Sequence, residues 1–157
     1  MKAGDVLKKM RRVHQLALLL SLLSGVILFF LFWSGRSPLL RANLPAADRV
    51  LQIVLMGIYA LVYLFAYRGK FQKRITGMRH STLPAVEKLT VFRKAIQPLW
   101  LCLTLLCLLC WLAFAGTLNL AYVLLGLFTL FFLWLLAPAP GRVSIILGET
   151  EQTIKAL

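Results

Sequence analysis

Acidic side chains are scarce in this chain. Its 157 residues include five Asp and Glu against eighteen Lys and Arg, with two histidines and three cysteines. Asp5, Glu149 and Glu151 stand in the tails, Asp48 borders an apolar run, and Glu87 lies in a polar segment. Proton- or sodium-coupled carriers generally need an ionisable group inside the membrane, and no apolar run carries one centrally. A four-span exporter of the small multidrug type would bring a buried carboxylate. No H-E-x-x-H, phosphate-cradling glycine loop or G-x-S-x-G occurs. His14 and His80 have no accompanying carboxylate pattern and read as interfacial or solvated, so neither a metal site nor a cofactor is expected.

The one pattern with a catalytic look is "CLLC", Cys107 to Cys110. Quinone-linked thiol oxidoreductases of four spans use a C-x-x-C, together with a second cysteine pair at the outer surface. Cys102, the third cysteine, lies on the same helix instead. Attack also requires a thiolate, a charge that hydrocarbon disfavours. Cysteine as a small apolar residue accounts for the pattern, and no catalytic residue is assigned.

What the chain has is apolar length. It is 61% hydrophobic, with a mean hydropathy of +0.84. Runs long enough to cross a hydrocarbon core recur at 13–33, 50–67, 99–115 and 118–136. A soluble protein of this size has too little interior for so much apolar surface. The expectation is an all-α polytopic membrane protein, a single domain over 1–157. Its four spans would form an antiparallel bundle. The first run ends in "FFLFWSGRS" without a small-residue cleavage pattern and reads as a retained signal anchor.

The net charge of +13 suggests nucleic acid until the charges are placed. Fifteen basic residues fall in the N-terminal tail, the segment between spans two and three, and the C-terminal tail; three fall in the first loop. Basic residues favour the cytoplasmic side, so both termini and the middle segment are expected there. Lys8, Lys9, Arg11 and Arg12, with Lys70, Lys73 and Arg74, are the candidates for contact with anionic lipid headgroups. The basic clusters lack the interleaved aromatics of a stacking surface, which speaks against nucleic acid.

Between spans two and three, "YRGKFQKRITGMRH" reads as polar and irregular. "STLPAVEKLTVFRKAIQ" then opens with a helix-start signature, Ser81 or Thr82 capping and Pro84 in the first turn. Leu83, Val86, Leu89, Phe92 and Ile96 recur every three or four residues, predicting a cytoplasmic amphipathic helix over 83–96 lying in the interface. Pro98 would bend the chain into span three. Pro138 and Pro140 would send the tail, 138–157, out in extended form, with a second amphipathic segment over 143–157.

Every span gathers its polar and small residues on one side. Gln52, Met56, Tyr59, Tyr63 and Tyr67 share an arc of about 80° on span two at 3.6 residues per turn. Span one shows His14, Ala17, Ser21, Ser24 and Gly25; Ala17, Ser21 and Gly25 make a small-xxx-small ridge for a close helix approach. Span four shows Asn119, Tyr122, Gly126 and Thr129, and span three Thr104, Cys107 and Trp111. The tyrosine ladder is expected to face the bundle interior, its hydroxyls reaching Ser21, Ser24, Asn119 or a carbonyl. Gln52, Tyr59, Tyr63, Asn119 and Tyr122 would then be ordinary bundle-facing groups, or the wall of a site for a lipid tail, a quinone or another apolar molecule.

Over its second half the chain resembles a group of uncharacterised small four-span bacterial membrane proteins. The shared features are a basic K-L-x-x-[FY]-R segment before the third span, matched by Lys88, Leu89, Phe92 and Arg93, and a short T-G-N-L-like turn. The turn here departs from that order, reading Gly116-Thr117-Leu118-Asn119. The resemblance implies a bacterial inner-membrane location and carries over no functional residue. Two functions from different classes follow. One is a non-enzymatic accessory or scaffold subunit that uses its two amphipathic segments to meet a membrane-protein partner or a second copy. The other is a channel, transporter, or lipid- or apolar-ligand-binding protein using the inner face of span two.

Overall fold

The computed structural model describes residues 3–34 and 45–149. Lys2, Arg36, Pro38, Arg41, Glu151 and Lys155 lie outside the described residues, as do most of the first loop and the last part of the predicted tail segment. Everything described is helix or short connection, with no strand among the described residues. The helices are α1 (Ala3–Trp33), α2 (Pro45–Leu61), a π-helical segment (Val62–Gln72), α3 (Lys73–Arg79), α4 (Ala85–Thr117), α5 (Leu120–Leu135) and α6 (Pro140–Leu147).

Three continuous helices are long and apolar enough to cross a membrane: Gly4–Trp33, Asp48–Arg79 and Ala85–Thr117. There are four if α5 and α6, bent by 75° at their junction, count as one span. The chain is thus an all-helical integral membrane protein by length and composition. Its α5 alone has 16 residues, about 24 Å at 1.5 Å per residue, short of the roughly 30 Å of a hydrocarbon core.

Helix α4 is the hub. In its apolar window 61% of residues are buried, against 11% in α1 and 6% in the helix from Asp48 to Arg79. It packs along α5, joined to it by the two-residue turn Leu118-Asn119 and so antiparallel. It also packs along α1 with the two chains parallel, as His14 beside Trp100 and Phe32 beside Phe114 require. The α2 and π segments rest on α4 more lightly, and α1 and α2 make at most glancing contact. One hydrophobic cluster ties Val6 and Met10 of α1 to Phe71, Met78, Leu89, Phe92, Val143 and Leu147. A smaller one at the opposite end joins Leu55, Leu106, Phe114 and Tyr122.

Four local expectations are corrected. The segment 83–96 is not a separate interfacial helix. From Ala85 it is the first part of α4, which continues through Pro98 without a break. Proline removes one backbone bond, but Ala95, Ile96, Leu99 and Trp100 are buried on either side of it and clamp the helix. The stretch read as irregular is helical through Arg79, because its Phe71 and Met78 dock in the main cluster. Ser81 does not cap α4: its hydroxyl donates to Met78 O at 2.7 Å and closes α3, while Pro84 itself is the α4 cap residue. The chain also does not leave in extended form after span four. Pro140 occupies the first turn of α6, where its missing N–H costs nothing, and α6 folds back beneath α4.

Lys88, on the first turns of α4, is buried, 2.8 Å from Glu149 just beyond α6.

Candidate functional site

The start of α2 and the start of α5 lie side by side, and there three of the five candidate site residues meet a residue the sequence reading passed over. Tyr122 Oη donates to Asp48 Oδ1 at 2.8 Å and lies 3.0 Å from the Asp48 carbonyl. Asn119 Nδ2 donates to Asp48 Oδ2 at 2.8 Å, and Gln52 Nε2 reaches the same oxygen at 3.3 Å. Asn119 also caps α5, its Oδ1 accepting from Ala121 N. Three neutral donors thus converge on one carboxylate, and bonds to a charged acceptor are about twice as strong as neutral ones. Tyr122 is fully buried. The cluster latches the lightly held α2 to α5. Its signal was available in principle: spans two and four begin on the same side, and Asp48 and Gln52 are one turn apart, as Asn119 and Tyr122 nearly are.

The tyrosine ladder divides. Tyr59 points inward, its hydroxyl donating to Leu125 O at 3.0 Å, contacting Thr129 Oγ1, and lying 3.4 Å from Cys110 Sγ. The carbonyl partner was anticipated; Thr129 and Cys110 were not. Tyr63 instead is exposed, so the expectation that all three tyrosines face the interior is corrected. The rings of Tyr63, Tyr67 and Phe71 stack along the π segment with centroids 5.8 Å apart. Tyr67 then meets Phe132 of α5 edge-on. Met56 also faces outward.

Between the π segment, α4 and α5 this leaves a lateral groove of about 390 Å³. Tyr59, Tyr63 and Tyr67 form one wall, Leu99 and Leu103 the floor, and Phe128 and Phe132 the other wall. Of the hydroxyl-bearing residues that line it, Tyr59 and Thr129 are already bonded to one another. Its size falls in the range of small-molecule sites, about 300–1,000 Å³. A second groove of about 440 Å³ runs along the other flank of the π segment. Val62 and Leu99 line both and form the ridge between them.

His14 is neither solvated nor interfacial in its contacts. It is buried, its ring edge-on to Trp100 at 5.0 Å, and its Nε2–H donates to Leu133 O at 2.8 Å. Trp100 Nε1 donates to Leu136 O at 3.3 Å and Arg142 donates to Leu135 O at 2.6 Å. The last carbonyls of α5 lack regular i+4 partners, and in an apolar surround such groups are costly unless bonded. Short-range backbone bonds from Leu136 N to Leu133 O and from Ala137 N to Trp134 O serve some of them, and these three side chains add donors at Leu133, Leu135 and Leu136. His14 is therefore a cap for α5 drawn from α1.

Trp111 fills the small-xxx-small ridge of α1, donating from Nε1 to Ser21 O at 3.0 Å. The ridge was read as a seat for a neighbouring backbone; an indole occupies it. Cys107 and Cys110 are buried and unbridged, Cys107 Sγ lying 3.6 Å from Gly126 O, while Cys102 is half-buried in the second groove. Lys8, Lys9, Arg11, Arg12, Lys70, Lys73 and Arg74 are all exposed. They gather at the end of the molecule marked by the main cluster, since Val6, Met10, Phe71 and Leu89 meet there. Comparison with protein-family models, curated proteins and solved structures gives no match.

Proposed function

We propose that this is a non-enzymatic membrane protein of the bacterial inner membrane, both termini cytoplasmic, that holds an apolar chain in the tyrosine-lined groove. In this reading the spans form a four-helix bundle organised on α4 instead of around a central cavity. The single observation carrying it is the groove itself: about 390 Å³ of aromatic and aliphatic wall opening sideways where the π segment, α4 and α5 meet. A lateral opening suits a lipid tail or a prenyl chain entering from the bilayer. The small resemblance in the second half supports the bacterial location, and the placement of fifteen basic residues supports the orientation.

The accessory-subunit reading is the weaker of the two. It relied on two free amphipathic faces, and Leu89, Phe92 and Ile96 share one buried cluster with Val143 and Leu147, from the described part of the second segment. Native mass spectrometry of protein extracted gently from its own membrane separates the two. A retained small apolar molecule, lost on Ala60→Trp in the groove wall, is the expected result. A co-purifying polypeptide with no small molecule would replace this proposal with the subunit reading.

A further inference from the structure

The second groove has a feature the first lacks: cations at its mouth. Its floor is Ala95, Pro98 and Cys102, spaced three and four apart and so on one face of α4. Its wall is Leu61, Phe65 and Ala66, and it ends at Lys70 and Arg74.

That alignment depends on the π segment. On an uninterrupted α-helix at about 100° per residue, Lys70 would lie about 180° from Leu61 and Arg74 about 220° from it. With the π turn of Val62–Gln72, which advances only about 80° per residue, both return to within about 40° of Leu61, beside Phe65. The wide turn therefore sets two positive side chains in line with an apolar wall. Both are exposed. Among the described residues the one ion pair is Lys88–Glu149, so no described carboxylate pairs with either.

We propose that this groove is a binding site for an anionic glycerophospholipid, the phosphate held by Lys70 and Arg74 and one acyl chain laid along Leu61, Phe65 and the Ala95–Pro98–Cys102 floor. The charge selects the occupant. Two cations, neither paired with a described carboxylate, complement a net-negative headgroup, and a purely apolar molecule would leave them unused. Their position fits as well, just past the apolar run of the helix from Asp48 to Arg79, at the depth where headgroups lie. The site is separate from the tyrosine-lined groove and does not require it to be filled.

The test uses the full chain in nanodiscs of equal phosphatidylglycerol and phosphatidylcholine, with bound lipid counted by native mass spectrometry. The parent protein retains phosphatidylglycerol in preference. Lys70→Gln with Arg74→Gln lowers that preference roughly 30-fold, two basic contacts each worth about fivefold. The charge-keeping pair Lys70→Arg and Arg74→Lys keeps it, which guards against misfolding as the cause. Arg68→Gln with Arg93→Gln, two basic residues that do not line the groove, leaves it unchanged. Cys102→Phe, which fills the groove and spares the charges, lowers it. An unchanged preference in the double Gln variant overturns the proposal, and so does an equal fall in the Arg68/Arg93 variant, since that is diffuse attraction. Loss of a bound molecule in Ala60→Trp with the phosphatidylglycerol preference intact bears only on the tyrosine-lined groove.

Discussion

Trp111 carries its indole into a slot between α1 and α5 that two glycines leave open. A Cβ at Gly25 would come within 2.8 Å of the indole ring, and one at Gly126 within 3.1 Å. The ring is rigid and hydrogen-bonded to Ser21 O, so it cannot turn aside as a flexible side chain would. Gly25→Ala is expected to destabilise by about 1–3 kcal/mol, the usual range for overpacking. Gly57→Ala, with nothing within 4 Å of the added carbon, should be neutral. Thermal unfolding of the two variants in one detergent compares them directly. The small residues of α1 could be seen in the sequence as a ridge. That an indole would enter it could not, since a 3.6-residue period identifies a face and not its occupant. The His14 contact was hidden for a related reason: it is satisfied by a group distant in sequence, Leu133 O.

At the scale of elements, the π segment and the α4–α6 contact were not legible. Proline and polar composition argued for breaks at 68–80, at Pro98 and after Ala137; helix persists through the first two, and a new helix follows the third. Tertiary burial overrode local propensity in each case. Gly69 is the weak point of the π segment, for a Cβ there would approach Leu64 O to 3.0 Å. Gly69→Ala should drive the segment toward ordinary α register and turn Lys70 and Arg74 off the groove. Phosphatidylglycerol preference measured as above should then fall toward that of the double Gln variant. At the other contact, the Lys88 side chain is 8% exposed and that of Glu149 24%. Glu149→Gln leaves an enclosed ammonium without a counter-charge and should cost about 3 kcal/mol, whereas Lys88→Met leaves a carboxylate that water can reach and should cost less. Chemical unfolding of each variant tests the order; equal losses would mean that Lys88 finds water too.

For the whole molecule, the predicted orientation can be read with single cysteines introduced at Gly77 and Leu118, at opposite ends of the hub. The one at 77 should react with an impermeant maleimide only when the cytoplasmic face is accessible, the one at 118 only from the outside. The reverse pattern would overturn the orientation argued from charge. Composition and apolar length alone determined that the chain is helical and made for a membrane, because hydrocarbon tolerates a long backbone only when each segment bonds itself. Charge placement, likewise a property of the sequence alone, separates one end from the other. Tertiary structure alone decided that α4 is the centre, that grooves lie on both flanks of the π segment, and that Tyr63, of the three tyrosines, faces outward. Those outcomes depend on how side chains remote in sequence fill one another's space, and periodicity along a single helix does not encode its neighbours.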